Sequence, residues 1–135
     1  YFTVHYKLPL DKGSFEFAVK SEYRAFNSPE AENRFDEAFA TYAIRERFLL
    51  RYNLPLTTNL TARFGEELHL NIAGNRDQGT FDQNRLMGDL VYSIPIKGSN
   101  DQLKLHAGYI HWYQSLGNNT FLSHHIINTG VSFLF

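Results

Sequence analysis

Charged side chains recur at every second position in several parts of the chain, and this spacing carries the most chemical meaning. In residues 45–51, Arg45, Arg47 and Arg51 share one period-two phase, and Phe48 and Leu50 lie in the other. Side chains at period two lie on one face of a β-strand, so these arginines would share a face with carboxylates from neighbouring strands. The predicted charged face consists of Glu16, Lys20, Glu22, Arg24, Arg45, Arg47, Arg51, Arg63, Glu67, Arg85, Asp89 and Lys104.

Two kinds of chemistry are open to this charged face. Arginine pairs with carboxylates through a planar, bidentate guanidinium group, and small barrels fill their interior with side chains. The preferred interpretation is therefore an ion-pair network that fills the lumen of a barrel. The basic residues of the set outnumber the acidic ones, which favours a second interpretation, an anion-attracting pore or pocket.

Histidines and serines offer a weaker case for catalysis. His111 and His125 lie in the outward phase of their strands, with Ser115 and Ser123 nearby, as in barrel enzymes that hydrolyse outer-membrane lipids. No carboxylate is spaced to orient either histidine, and no nucleophile motif is present. We therefore assign no catalytic residue and expect the protein not to be an enzyme.

Metal and cofactor sites are not indicated. His124 and His125 are adjacent, so on a strand they point to opposite faces. Residues 74–79 lack the alternating acidic ligands of a calcium loop. The chain has no cysteine, which excludes thiolate metal sites and disulfides. No metal and no cofactor are predicted.

The elements that would position the charged face are seven period-two strands separated by polar connections. Tight turns are expected at residues 11–13, 57–59 and 98–101, and long loops at residues 27–40, 73–84 and 115–124. The connections would then alternate between short and long. The predicted strands are residues 1–10, 14–26, 41–56, 60–72, 85–97, 102–114 and 125–135.

This pattern favours an all-β, antiparallel, up-and-down transmembrane β-barrel in the bacterial outer membrane. The strands are long enough to cross a bilayer when tilted, short and long connections alternate, and tyrosines mark strand ends on the apolar face. Barrels of this kind have an even number of strands. We therefore expect residues 1–135 to form one domain that lacks one or more N-terminal strands, with 8 to 12 strands when complete.

Two further features of the apolar face have positional meaning. Val131, Phe133 and Phe135 alternate at the end of the chain, as expected for a terminal strand that the barrel-insertion machinery recognises.

Glu46 and Glu66 interrupt the apolar face, and hairpin folding would bring them near each other. The preferred explanation is a β-bulge that rotates the phase locally, and the alternative is a surface that faces a protein partner or lipid head groups.

Three segments resemble a known family. They are an acidic, Asn-Arg-containing entry into a strand at residues 81–94, the segment GYIHWYQ at residues 108–114, and the Arg-rich RERFLLRY at residues 45–52. Together they resemble the outer-membrane β-barrel family of Bacteroidota called domain of unknown function 2490, over roughly residues 39–135. Residues 1–38 fit only by strand pattern. The resemblance implies an outer-membrane barrel and supplies no catalytic residues.

The expected function is a non-enzymatic structural barrel or a subunit of a larger envelope complex. Its partners would be outer-membrane lipid, the insertion machinery during biogenesis and other envelope proteins. A net charge of −1 gives no basic stripe for nucleic acid. Three alternatives stay open: a narrow channel for small or anionic solutes, an outer-membrane lipid hydrolase, and a soluble lipocalin-like barrel that binds a lipophile.

Overall fold

Seven β-strands make up the chain in the computed structural model, which describes residues 1–26, 41–74, 80–96, 98–99, 101–117 and 119–134. The strands are long, from nine residues in the first to 16 in the sixth. The described residues contain no helix long and apolar enough to cross a membrane. The strands are β1 (Phe2–Leu10), β2 (Gly13–Phe26), β3 (Thr41–Pro55), β4 (Leu60–Gly74), β5 (Phe81–Pro95), β6 (Gln102–Gly117) and β7 (Thr120–Leu134).

All seven strands form one antiparallel sheet in the order of the sequence. Each strand pairs with the next one along the chain, so the topology is up-and-down, as predicted. The sheet is open, because β1 and β7 lie at its two edges and make no contact with each other. Closure into a barrel remains a prediction.

The strand register separates the side chains into an apolar and a polar face. On the apolar face, Val19 lies opposite Phe48, and Phe48 lies opposite Leu68. On the polar face, Lys20 lies opposite Arg47, and Arg47 lies opposite His69. Neighbouring residues therefore serve opposite faces along every strand, as the period-two pattern requires.

From β2 to β6, the polar face is the less exposed one. His69 is fully buried and Arg45 is 7% exposed, whereas Ile127 and Phe133 on the apolar face are 83% and 59% exposed. A single-layer sheet has no second layer to cover either face. The polar side chains are therefore covered by one another, as happens when a sheet curls toward one side. We call this side the concave face and the apolar side the convex face.

Crowding on the concave face is also visible at Gly108. A Cβ atom built there would lie 2.5 Å from Asp89 Cβ and 2.9 Å from the Gly88 carbonyl oxygen. These distances are too short for any side chain, so glycine is required where the side chains of β5 and β7 approach β6.

The connections differ from the predicted alternation at one end of the sheet. We call the end where β2 connects to β3, β4 to β5 and β6 to β7 the upper end, and the opposite end the lower end. The predicted long loop at residues 115–124 is wrong, because β6 and β7 are joined across residues 118–119 alone. Asn119 has a φ of 58°, a conformation that asparagine tolerates in tight hairpins. The predicted loop at residues 27–40 lies outside the described residues, as does Phe135.

Three register shifts occur among the described strands, and none lies at Glu46 or Glu66. The register shifts at Ile44/Arg45, at His69/Leu70 and at Ser115/Gly117, whereas pairing is regular at both glutamates. The prediction that a bulge removes these carboxylates from the apolar face is therefore wrong. The second bulge leaves Asp82 without a paired residue and adds it to the concave face.

Candidate functional site

Three cations surround the Glu22 carboxylate in the upper half of the concave face. Arg45 and Arg47 each donate two N–H groups to Glu22 Oε2 over 2.7–3.1 Å. Lys20 Nζ lies 2.9 Å from Glu22 Oε1. The register dictates this meeting, since Arg45 lies directly opposite Glu22 and Arg47 opposite Lys20. One carboxylate thus holds three positive charges together.

Asp82 adds a second carboxylate to this cluster. Arg45 Nη1 donates to Asp82 Oδ2 over 2.8 Å, and Arg24 Nη1 lies 3.9 Å from the same oxygen. Arg45 therefore connects β2 to β5 across the sheet. Because Arg45 and Asp82 are both buried, loss of one partner would leave the other as an uncompensated buried charge.

A closed ring of five side chains lies beside this cluster. His69 Nδ1 and Gln83 Nε2 are 2.6 Å apart, and Trp112 Nε1 donates to Gln83 Oε1 over 2.9 Å. Arg85 closes the ring, because its guanidinium lies 4.9 Å from the centre of the Trp112 ring and 3.4 Å from Glu67 Oε2. Glu67 Oε2 also lies 3.0 Å from His69 Nε2.

This ring assigns the tautomer of the buried His69. Trp112 is a donor only, so Gln83 must accept with Oε1 and present its amide N–H to His69 Nδ1. Nδ1 is then the acceptor, and the ring proton of neutral His69 sits on Nε2, facing the Glu67 carboxylate. The proton is inferred from the donors and acceptors around it.

The lower half of the concave face holds two separate ion pairs. Arg63 donates to Asp89 Oδ2 through Nε over 2.7 Å and also through Nη2. Arg51 Nη1 lies 3.5 Å from Glu16 Oε2, a long contact between partly exposed groups. Lys104 makes no ion pair with any described residue.

Eleven of the twelve residues of the predicted charged face thus form ion pairs on one face, and Lys104 does not. Asp82, Gln83 and Trp112 belong to the same network, although they are not part of the predicted charged face. Asp82 and Gln83 lay in a predicted loop, and the bulge that admits Asp82 has no simple sequence signal. Trp112 does alternate in phase with Lys104, which was an available signal.

Glu46 and Glu66 lie on the convex face, and each has a hydrogen-bond donor. Ser21 Oγ donates to Glu46 Oε2 over 2.9 Å, and Asn84 Nδ2 donates to Glu66 Oε1 over 2.8 Å. Glu66 pairs with Leu50, four residues from Glu46, so the two backbones are about 13 Å apart along the sheet. The expectation that hairpin folding brings the two carboxylates together is therefore wrong.

The outward histidines also form polar pairs on the convex face. His111 Nε2 lies 2.8 Å from Ser123 Oγ, and Tyr109 Oη hydrogen-bonds to His125 Nδ1. The two imidazoles stack with their centres 5.0 Å apart. Ser115 lies four residues from His111, the partner of His125 in the register, so Ser115 and His125 do not form a pair.

These groups do not complete a catalytic triad. Neither His111 nor His125 contacts a carboxylate among the described residues. The part of the chain that the structure describes also contains no group of three histidine or acidic side chains placed to hold a metal ion.

Aromatic clusters mark both ends of the convex face. At the upper end, Tyr23 stacks on Tyr42 with centres 6.0 Å apart, and Tyr113 stacks on Phe121 at 5.2 Å. At the lower end, Phe15 and Tyr52 lie 4.9 Å apart. Tyr52 Oη donates to the Lys12 carbonyl over 2.5 Å, so its polar tip points toward the lower turn.

The family model described as "Protein of unknown function (DUF2490)" matches residues 1–122. The chain therefore belongs to the DUF2490 family. The match includes residues 1–38, which the sequence resemblance had covered only by strand pattern, and it ends before the last 13 residues. No curated protein and no solved structure matches the chain.

Proposed function

We propose that this chain forms the wall of a transmembrane β-barrel in the outer membrane of a bacterium of the Bacteroidota, with a polar lumen and a lipid-facing exterior. The observation that carries this proposal is the inverted burial of the sheet. Most charged side chains of the concave face are buried or half-buried and ion-paired, while large apolar side chains are exposed on every strand. Monomeric soluble proteins rarely expose contiguous apolar surfaces of this extent.

The spacing of the aromatic clusters supports a membrane of ordinary thickness. Tyr42 and Tyr52 lie ten residues apart on the convex face of β3, which is about 33 Å along the strand. At a strand tilt of about 40°, this separation spans about 25 Å of height, equal to the apolar band of outer-membrane barrels. Tyrosine rings at both limits suit the two membrane–water interfaces.

Backbone hydrogen bonding makes closure necessary under this proposal. The outer edges of β1 and β7 present unpaired N–H and C=O groups, and such edges are not tolerated in hydrocarbon. Additional strands must therefore pair with β1 and β7 in the membrane. The first two of Val131, Phe133 and Phe135 are exposed on the convex face of β7, as the proposed insertion signal requires.

The role that fits this barrel best is structural and non-enzymatic. Ion pairs and the ring of five side chains around His69 occupy the concave face, as in a small barrel filled by its own side chains. Glu46 and Glu66 are the proposed contacts to other envelope proteins, because a carboxylate on a lipid-facing wall is unfavourable. A barrel that serves as a subunit of a larger envelope complex accounts for both features.

A heat-shift gel tests the barrel directly. The full native protein would be extracted from outer membranes in mild detergent and run with and without boiling. We expect faster migration before boiling than after, with the protein in the membrane fraction. Recovery in the soluble fraction without a heat shift would contradict the proposal and favour the lipocalin-like alternative.

A narrow anion channel is the second candidate, and the charge of the concave face favours it. Among the described residues this face carries nine basic side chains and five acidic ones. Planar-bilayer recordings under a salt gradient would give a reversal potential shifted toward anion selectivity. A folded barrel without conductance would contradict the channel and leave only the structural role. The basic side chains are Lys7, Lys20, Arg24, Arg45, Arg47, Arg51, Arg63, Arg85 and Lys104, and the acidic ones are Glu16, Glu22, Glu67, Asp82 and Asp89.

A further inference from the structure

An open groove crosses the convex face between β4 and β7, and its floor is Gly88. A Cβ atom built on Gly88 would meet only the Phe64 ring, at 3.7 Å and 3.9 Å. The space above Gly88 is therefore large enough for a group from outside the sheet. Apolar atoms dominate the lining, which includes Phe64, Leu86, Tyr109 and the rings of His111 and His125.

Two polar pairs border this groove, and each keeps one hydrogen-bond donor free. If Ser123 donates to His111 Nε2, the Nδ1–H group of His111 is an unpaired donor. If His111 carries its proton on Nε2 and donates to Ser123 Oγ, the Ser123 hydroxyl is the unpaired donor instead. The Tyr109–His125 pair leaves one donor by the same reasoning. No described residue accepts either donor. The groove therefore offers two donors to a ligand that accepts hydrogen bonds.

The height of these donors on the wall points to the kind of ligand. Ser123 lies two residues from Phe121, and His111 lies two residues from Tyr113, both members of the upper aromatic cluster. Two residues correspond to about 7 Å along a strand, so the donors sit just inside the level of the aromatic belt. Ester and phosphate oxygens of a membrane lipid lie near this level, and its chains extend toward the membrane centre.

We propose that this groove is a specific site for one glycerophospholipid. One acyl chain lies over Gly88 against Phe64 and Leu86, and the ester and phosphate oxygens accept from the His111–Ser123 and Tyr109–His125 pairs. A phospholipid fits because its polar oxygens act as acceptors and its chain matches the apolar lining. The site explains why these four polar side chains lie on a largely apolar wall, where unpaired donors are unfavourable. It rests on the proposed membrane location of the convex face.

Native mass spectrometry of the full protein in detergent, titrated with palmitoyl-oleoyl phosphatidylglycerol, tests this site. Gly88→Leu fills the groove, and the quadruple variant Tyr109→Phe/His111→Phe/Ser123→Ala/His125→Phe removes both donor pairs. We expect wild type to retain one phospholipid and each variant to bind it at least about tenfold more weakly. Because the two variants change different residues, either one that folds is sufficient for the test.

Matched controls sit elsewhere on the same face. Ala25→Leu adds the same kind of bulk on β2, and Thr129→Val removes a hydroxyl on β7 outside the groove lining. Both should bind like wild type. Unchanged binding in a folded groove variant would overturn the site. A heat-shift gel on each sample separates this failure from failure of the barrel itself, since a barrel without specific lipid binding still shifts.

Discussion

The two faces of the same sheet differ in chemistry and in exposure. On the concave face, charged side chains are buried or half-buried and most have an ionic partner, with Arg45 placed between Glu22 and Asp82. On the convex face, large apolar side chains such as Phe64 and Ile127 are exposed. A soluble sheet of this amphipathic pattern would bury the apolar face against a second layer. Here, the polar side chains are instead the ones that cover one another.

This contrast separates the sources of stability. The concave face gains from ion pairs and hydrogen bonds that hold only when each partner is present. The convex face gains only if an apolar solvent surrounds it, because water would leave its side chains hydrated. Substitutions that exchange the chemistry of the two faces should therefore have very unequal effects.

The largest effect is expected from breaking the buried ion pairs. Arg45→Leu leaves Glu22 with fewer partners and leaves Asp82 only the distant Arg24. We expect the free energy of unfolding to fall by about 3–5 kcal/mol, measured by urea titration of the refolded protein in detergent. Lys104→Met on the same face should change it by less than about 0.5 kcal/mol. Equal effects of the two variants would show that the network does not stabilise the fold.

The second-largest effect is expected from a charge placed on the convex face. Val4→Arg places a cation on the convex face of β1, opposite Val19, and should destabilise the barrel in lipid vesicles by about 2–4 kcal/mol. Val91→Arg, at a half-buried position of the concave face, should cost less than about 1 kcal/mol. Unchanged stability of the Val4→Arg variant would mean that the convex face meets water.

The polar ring around His69 gives a smaller effect. Gln83→Leu removes the partner of both His69 Nδ1 and Trp112 Nε1 and leaves two polar groups unsatisfied. We expect the free energy of unfolding to fall by about 1–3 kcal/mol. The unfolding can be measured from the fluorescence of Trp112, the single tryptophan of the chain. Gln114→Leu is the matched control, because Gln114 faces Gln83 in the register. Equal stability of wild type and Gln83→Leu would argue against the ring.

The smallest effect concerns the polar groups on the convex face. Replacing both members of the Glu66–Asn84 pair by leucine removes a carboxylate from the wall without leaving its donor unpaired. We expect the isolated barrel to gain about 1 kcal/mol in lipid, while co-purification with envelope partners decreases. A less stable barrel with unchanged co-purification would show that Glu66 serves the fold itself.

The sequence predicted the strands and faces well because both depend on period two alone. Seven strands, their antiparallel order and the shared face of the charged residues all follow from local alternation. The exceptions were the β4–β5 connection, where residues 81–84 already belong to β5, and the β6–β7 connection, where Ser115, Phe121 and Ser123 continue the sheet although their composition is typical of a loop. The residues around Asn119 also suit a two-residue hairpin turn. Because the whole segment is polar, the sequence predicted a long loop there instead.

The candidate site was less predictable because it depends on register. The bulge at His69/Leu70 adds Asp82 to the concave face, and a one-residue insertion has no reliable sequence signature. The pairing of His111 with Ser123, and not of His125 with Ser115, likewise follows from cross-strand position. Which face curls inward is also a tertiary property, since period two is the same for a membrane barrel and a soluble one.

Accessibility of the convex face to lipid is the most direct test of the central claim. The chain has no native cysteine, so single cysteines at residues 103–107 of β6 can carry a nitroxide in the complete protein reconstituted in vesicles. We predict high accessibility to oxygen at Leu103, Leu105 and Ala107, and high accessibility to a water-soluble nickel complex at Lys104 and His106. The reverse alternation, or water accessibility at all five positions, would contradict a lipid-facing convex surface.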